Sequence, residues 1–356
     1  MNFTLTEDRQ MMQDSLRRFL TDRYSAERRG ALIAAEAGFD RDIWRDLADL
    51  GAVAALFGED QGGFGGAGFD IALVFEELGR AGALEPMMEA LIAGGLLAEM
   101  GHGDLVARII AGELIVTLAY LEPDGRYDLS PRTTRLTEDR LSGHKSLVGH
   151  AEAADLFLVT ALGPEGVTLA LVPRGADGLS LTAYPTADGM RAAELRLDAT
   201  PANTLLTGAL PLLERHIARA TLACMADTLG AMETAMALTI THLKTRQQFG
   251  RPLGKFQVLQ HRMADLAIEL EQARSAVINA AGQLGTNQEA RHISAAKNLM
   301  GRTARLMAEE AIQLHGGIGM TAEYALAHFA KRMVMADHKF GDEDHHLARF
   351  IALSAT

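Results

Sequence analysis

The chain has 356 residues, nearly half of them apolar (48%), and a formal net charge of −12. That length and apolar content suit a large core shared by two or three domains and exclude a disordered chain. The acidic balance, with no basic block, excludes a phosphate-tracking nucleic-acid surface or an anionic membrane patch and leaves a small molecule as the expected ligand.

The first residues, MNFTLTEDRQMMQDSL, are acidic where a signal peptide is basic, and no later apolar run reaches membrane-spanning length. Cytoplasm is the expected location. From Thr6 to about Gly112 apolar residues such as Met11, Leu16, Phe19 and Leu20 recur at helical spacing, which predicts a helical domain over residues 1–112. The texture then changes to short β-prone runs, LIVTLAY, LFLVTAL and VTLALVP, separated by Gly, Pro and Asp, which predict a small antiparallel β domain over 113–205. Three long stripes follow: Leu229, Met232, Met236, Ile240, Leu243; Phe256, Leu259, Met263, Leu266, Leu270, Ala273; and Ala296, Leu299, Thr303, Leu306, Glu310. With a fourth helix near the C-terminus they predict a four-helix bundle over 206–356, packed on itself or on another subunit. The fold class is α+β, mainly α. The single cysteine, Cys224, lies in an apolar helical stretch and reads as core, with no internal disulfide available to it.

Two motifs have competing readings. Gly63-Phe64-Gly65-Gly66-Ala67-Gly68 matches G-x-G-x-x-G, yet no alternation of strands and helices follows it, so a loop of closely approaching backbone is the better account. Glu343 with His346, and Glu289 with His292, form two E-x-x-H pairs of the kind a di-iron bundle uses. That site also needs inward carboxylates from two other helices, and Glu233, Glu269, Glu271 and Glu310 show no distinctive pattern. No metal is expected.

The strongest signal is an ordered set of segments. RQQFGRPLGKFQ at 246–257 and QLHGGIGMTAEYAL at 313–326 resemble the two signature regions of acyl-CoA dehydrogenases. EELGRAG at 76–82, LEPDG at 121–125, GHKSLVGHAEAADLFLV and GMRAAELRL resemble their counterparts, so the likeness runs along nearly the whole chain. It implies the same helical, β, helical plan, an FAD cofactor, an acyl-CoA substrate, electron-transfer flavoprotein as acceptor, and an oligomer of identical or related subunits.

By this resemblance Arg246, Gln248, Phe249 and Gln257 contact the phosphate and adenosine portion of the flavin nucleotide, and Gln313, His315, Gly316 and Gly317 form the loop that receives the adenine end from the neighbouring subunit. A guanidinium pairs with phosphate oxygens, a ring offers an apolar face, and glycines permit close approach. The family's late catalytic glutamate falls on Asp342, the expected base, one methylene shorter; a second location used by some relatives falls on Gln247. Other positions depart from the pattern. Tyr127 replaces a small hydroxyl residue, Leu147 and Gly149 replace Trp and Thr against the flavin, and Thr221 replaces a substrate-side arginine, with Arg219 offset by two. Similar losses occur in heteromeric members, so a catalytically reduced partner subunit is the alternative to a self-sufficient enzyme.

Overall fold

A computed structural model describes residues 5–355. The N-terminal stretch forms α1 Glu7–Arg23, α2 Ala26–Ala34, α3 Arg41–Asp49, α4 Gly68–Ala81, α5 Met87–Glu89, α6 Gly95–Glu99 and α7 Gly103–Ile110, with a π-helical turn at Ala90–Gly94. Eight strands follow: β1 Val116–Ala119, β2 Arg135–Thr137, β3 Arg140–Gly149, β4 Leu156–Gly163, β5 Gly166–Pro173, β6 Leu179–Pro185, β7 Arg191–Pro201 and β8 Asn203–Leu206. The rest comprises α8 Leu210–Thr245, a hairpin of β9 Gln247–Gln248 and β10 Arg251–Pro252, α9 Gln257–Gln283, α10 Glu289–His315, α11 Ala325–Asp337 and α12 Glu343–Ser354. None of the described helices is long and apolar enough to cross a membrane.

By compactness the chain forms two units. One gathers the residues up to Ala34, Gly68–Ala83 and everything from Thr221; the other holds Ala35–Ala67 and Leu84–Ala220. In the first unit α4 crosses α8 and α9 through glycines. A Cβ on Gly79 would collide with the Asp227 carbonyl, one on Gly230 with that of Glu76, and one on Gly68 with that of Ala281. Charges ring the crossing: Arg17 donates to Glu77 at 2.6 Å, Arg80 to Glu76 at 2.8 Å, and Arg80 and Arg274 both pair with Glu233. EELGRAG is thus the sequence of a close helix crossing.

Two sequence expectations need adjustment here. The fourth bundle helix is broken at residues 338–342 into α11 and α12. On α10 the buried face is Ile293, Ala296, Lys297, Met300, Thr303, Ala304, Met307 and Ala311, while Leu306 of the predicted stripe is exposed. Helices α9, α11 and α12 all pack against α10, so these contacts, not hydrophobicity alone, set which of its residues are buried.

In the second unit the strands run in the order β6-β7-β3-β2-β4-β5-β8. The sheet is antiparallel as expected except along one edge of β4, where β1 pairs in parallel with Leu156–Val159 and Arg135 of β2 with Leu162. Both strands arrive from the same end after non-hairpin connections, which permits the parallel sense. The glycine-rich loop is backbone packing: a Cβ on Gly63 or Gly65 would collide with the carbonyls of Ala54 or Ala55. Trp44, the only tryptophan, is 1% exposed and donates its indole N–H to the Gly112 carbonyl.

LEPDG supplies the pivot of this unit. Glu122 is buried, and its carboxylate accepts from the backbone N–H groups of Arg132, Thr133 and Thr134 at 2.7–3.0 Å and from the Lys145 ammonium at 3.0 Å. Burial alone raises its pKa, but the hydrogen bonds of the Thr133–Thr134 segment and the Lys145 charge outweigh it and hold the carboxyl well below the usual range. Burial pulls Lys145 the other way, down to about 8.

Because Glu122 binds its proton less readily folded than unfolded, it stabilises the fold above the unfolded carboxyl pKa of about 4.3, and that stabilisation fades as pH falls toward the folded value. Glu122→Gln leaves a buried ammonium without its counter-charge. Denaturant unfolding at pH 7 is expected to show a loss of about 3–5 kcal/mol, and the gap to wild type should close progressively below about pH 4.

Candidate functional site

The residues singled out from RQQFGRPLGKFQ lie where α8 ends. Arg246 closes the last turn, its N–H donating to the His242 carbonyl at 2.8 Å, and its own carbonyl accepts from Leu253 N–H at 2.9 Å across the hairpin base. Between β9 and β10 the turn residues Phe249 and Gly250 both have positive φ, 53° and 75°. This is the type I′ pattern, whose twist matches paired strands but which asks a phenylalanine to adopt a left-handed conformation at about 1–2 kcal/mol. Phe249 is nonetheless 89% exposed. The Phe256 ring meets it in a T-shaped contact, with centroids 6.1 Å apart and planes 83° apart, and Arg251 covers the Phe256 ring at 4.1 Å. Gln248 and Gln257 are exposed beside the turn. Strain held at an exposed aromatic is unusual and marks a surface kept for contact rather than for folding.

The second segment ends α10. Gln313 is exposed and His315 buried, its Nδ1–H donating to the Ala311 carbonyl at 2.8 Å. Gly316 has φ 69° and ψ −151°, a region open essentially to glycine alone, and turns the chain out of the helix. Gly317 has no such backbone need, and a Cβ there would meet nothing within 4 Å.

One contact joins the two segments. The His315 ring stacks on His242, one turn before Arg246, with centroids 4.4 Å apart and planes 29° apart. Tyr324 closes the other side at 5.2 Å. Burial lowers the pKa of both histidines, and their mutual repulsion lowers that of His242 further, so two neutral rings stack where two imidazolium ions would repel. His242 carried no motif, so nothing in the sequence pointed to it.

Asp342 lies elsewhere. It is the N-cap of α12, Oδ1 accepting from His345 N–H at 2.8 Å, and the loop before it is held by Lys297 in the first half of α10. Lys297 and His315 are eighteen residues apart, about 27 Å along a helix axis at 1.5 Å per residue. The eight nucleotide-type residues therefore gather at one end of α10, and the carboxylate stands toward the other.

The remaining positions are in the second unit or on α8. Leu147 is 55% exposed at φ 53°, its N–H donating to Tyr184 Oη at 3.3 Å; Tyr184 in turn donates to Glu194 at 2.6 Å. The Gly149 carbonyl accepts from Thr117 Oγ1 at 2.8 Å, and His150 bridges Glu89 at 3.0 Å and the Leu84 carbonyl at 2.8 Å. Arg219 donates to the Leu56 carbonyl at 3.3 Å, and Cys224 is buried as expected. The E-x-x-H residues are engaged separately: Glu289 with Gly285 N–H, His292 with Asn279, Glu343 with Arg305, His346 with the Phe340 carbonyl. Among the described residues no group of three metal-ligating side chains converges.

Comparison with known proteins gives three consecutive matches: the acyl-CoA dehydrogenase N-terminal domain over residues 6–112, the middle domain over 117–199 and the C-terminal domain over 212–351. Acyl-CoA dehydrogenase IpdE2 of Mycobacterium tuberculosis is 31% identical over 333 residues, 92% of either chain. Acyl-CoA dehydrogenase FadE27 of the same organism is 28% identical over 341 residues, 91% of either chain. Among solved structures, a variant of the Tcur3481-Tcur3483 steroid ACAD is 32% identical with a TM-score of 0.90 over 99% of both chains. The ChsE4-ChsE5 complex from Mycobacterium tuberculosis is 25% identical with a TM-score of 0.92, over 100% of this chain and 99% of that one. Matched over its N-terminal, middle and C-terminal parts, the chain belongs to the acyl-CoA dehydrogenase family of oxidoreductases.

Proposed function

We propose that this chain is a subunit of an FAD-dependent acyl-CoA dehydrogenase that forms the α,β double bond of an acyl-CoA thioester. The observation that carries the reading is the His242–His315 stack, which brings the hairpin after α8 and the glycine turn after α10 into one cluster. The cluster suits a flavin nucleotide. The Arg246 guanidinium and the exposed amides of Gln248, Gln257 and Gln313 are donors for pyrophosphate and adenine, and Phe249 offers a ring held outward. Gly317, with neither a strained φ nor a neighbour, is explained by a group that approaches the backbone closely.

FAD, when bound, accepts the hydride. The chain's own contribution is Asp342, which takes the proton next to the thioester carbonyl. Its Oδ1 accepts from His345 N–H at the cap of α12, which holds the carboxylate at the head of that helix. Standing toward opposite ends of α10, the two clusters of one chain serve different active sites of an oligomer. Exposed Val258, Ile268, Leu306, Met320 and Ile351 supply apolar surface for that association. Electrons leave to an electron-transfer flavoprotein, and the buried lone thiol of Cys224 suits the cytoplasm. The stretches 1–112, 113–205 and 206–356 are the domains of this reading, each holding one family match.

A second reading has support of its own: Leu147, Gly149 and Thr221 stand where the family places flavin- and substrate-side residues, and two similar solved structures carry two-chain names. In it a related sister chain supplies the base.

Purified with any related sister chain, the protein is expected to be yellow. Arg246→Ala should weaken FAD by about 10- to 100-fold, as expected for a hydrogen bond to a charged group. Phe249→Gly should leave stability unchanged or raise it by up to about 1 kcal/mol while weakening FAD in equilibrium titration; unchanged FAD affinity in both variants sinks the assignment. Asn caps a helix as well as Asp, so Asp342→Asn separates base from cap. On butyryl-CoA, octanoyl-CoA, benzylmalonyl-CoA and a steroid side-chain CoA thioester it should cut turnover by at least about 100-fold with Tm held. Full turnover in that variant favours the partner-subunit reading.

A further inference from the structure

The break between α11 and α12 is built in an unusual way. Phe340 and Gly341 both have positive φ, 60° and 107°, so the segment is strained at a non-glycine residue and persists only because its surroundings dictate it. Those surroundings are side-chain donors directed at successive carbonyls. Lys297, 1% exposed on α10, donates through Nζ to the Asp337 carbonyl at 3.0 Å and the Gly341 carbonyl at 2.7 Å. Its neighbour Asn298 donates to the Glu343 carbonyl at 2.9 Å. His346, 1% exposed on α12, lies 2.9 Å through Nε2 from the Phe340 carbonyl, and because a carbonyl only accepts, Nε2 carries the proton. The carbonyls of residues 340, 341 and 343 are therefore each held by a side chain, and the residue they bracket is Asp342. Gly341 leaves no room for adjustment, since a Cβ there would stand 2.6 Å from His345 and 2.7 Å from His346.

Lys297 is a costly way to fill this space. An ammonium ion loses its hydration on burial, and a methionine of similar length would pack at less expense. Its Nζ donates to two backbone oxygens, one at the C-terminus of α11, where a cation is favoured by the helix dipole, while the Asp337 and Asp342 carboxylates act on it through space. Burial lowers the pKa of Lys297 and lowers that of His346 to about 3, so His346 is neutral at pH 7 and donates through a single nitrogen. A buried cation that directs its two hydrogen bonds at the carbonyls that flank one break, next to one carboxylate, has a geometric task.

We propose that Lys297 is a positioning residue: by holding the Gly341 and Asp337 carbonyls it sets the position and direction of Asp342 at the start of α12. Asn298 and His346 complete the clamp. The proposal rests on the reading of Asp342 as base for its catalytic consequence, but not for its structural one.

The test compares Lys297→Met with wild type and Lys297→Arg in the FAD-loaded oligomer, using hydrogen–deuterium exchange and turnover on whichever of the four thioesters above reacts fastest. Lys297→Met is expected to accelerate exchange across residues 338–346 by at least about tenfold while α9 exchanges as before. It should lower kcat by about 10- to 100-fold, the usual effect of a misplaced catalytic group, with KM changed less than about threefold and flavin absorbance intact. Lys297→Arg, which keeps a cationic donor, should recover most of both. Unchanged exchange over 338–346 in Lys297→Met overturns the proposal, as does an equal loss of kcat and of folded, flavin-bearing protein. Faster exchange together with normal turnover in Asp342→Asn leaves the clamp standing and removes the base assignment instead. If Lys297→Met yields no folded protein, His346→Phe, which removes the donor to Phe340, is expected to give the same exchange pattern, and its absence overturns the clamp.

Discussion

A backbone carbonyl or N–H that leaves regular structure inside a protein must be given a partner, because leaving it dry and unpaired costs as much as several favourable contacts supply. In this chain the partner is repeatedly a buried charged or aromatic side chain. Glu122 gathers three N–H groups, Lys297 two carbonyls, Arg332 the Ala83 carbonyl together with Asp227, Arg29 the Gly82 carbonyl, and His150 the Leu84 carbonyl. The residues 82–84 alone draw three such donors, and they lie where α4 gives way to the helices that precede the sheet.

This arrangement explains why two of the sequence motifs are what they are. EELGRAG combines a glycine that admits the α8 backbone with acids and a base that neutralise one another beside it, so no member is useful alone. In LEPDG the glutamate is spent on a loop ten to twelve residues later and on the Lys145 ammonium. Both motifs are legible as signatures because their physical demands are strict.

Legibility followed the strength of local pattern. The runs LFLVTAL and VTLALVP became β4 and β5, and the long apolar stripes became α8, α9 and α10, since each segment could be judged from its own periodicity. What could not be judged was the inner face of α10, where Leu306 points outward and Lys297 inward. Hydrophobicity assigns those two residues the opposite way. The break at Phe340 was hidden for the same reason: a phenylalanine gives no sign of left-handed backbone until the donors that impose it are seen.

The candidate site divides along the same line. Arg246 through Gln257 and Gln313 through Gly317 were recognisable as words, yet their union depends on His242, whose stacking partner lies 73 positions away in the sequence. Asp342 is placed by its spacing from the Gly316-Gly317 turn and to Arg349, which gives a position but no environment. The structure adds that its carboxylate caps a helix, Oδ1 accepting from His345 N–H at the head of α12. In the proposed reaction the proton must leave as a hydride departs from the next carbon, so direction matters, because a misplacement of about 1 Å can cost on the order of 100-fold in rate.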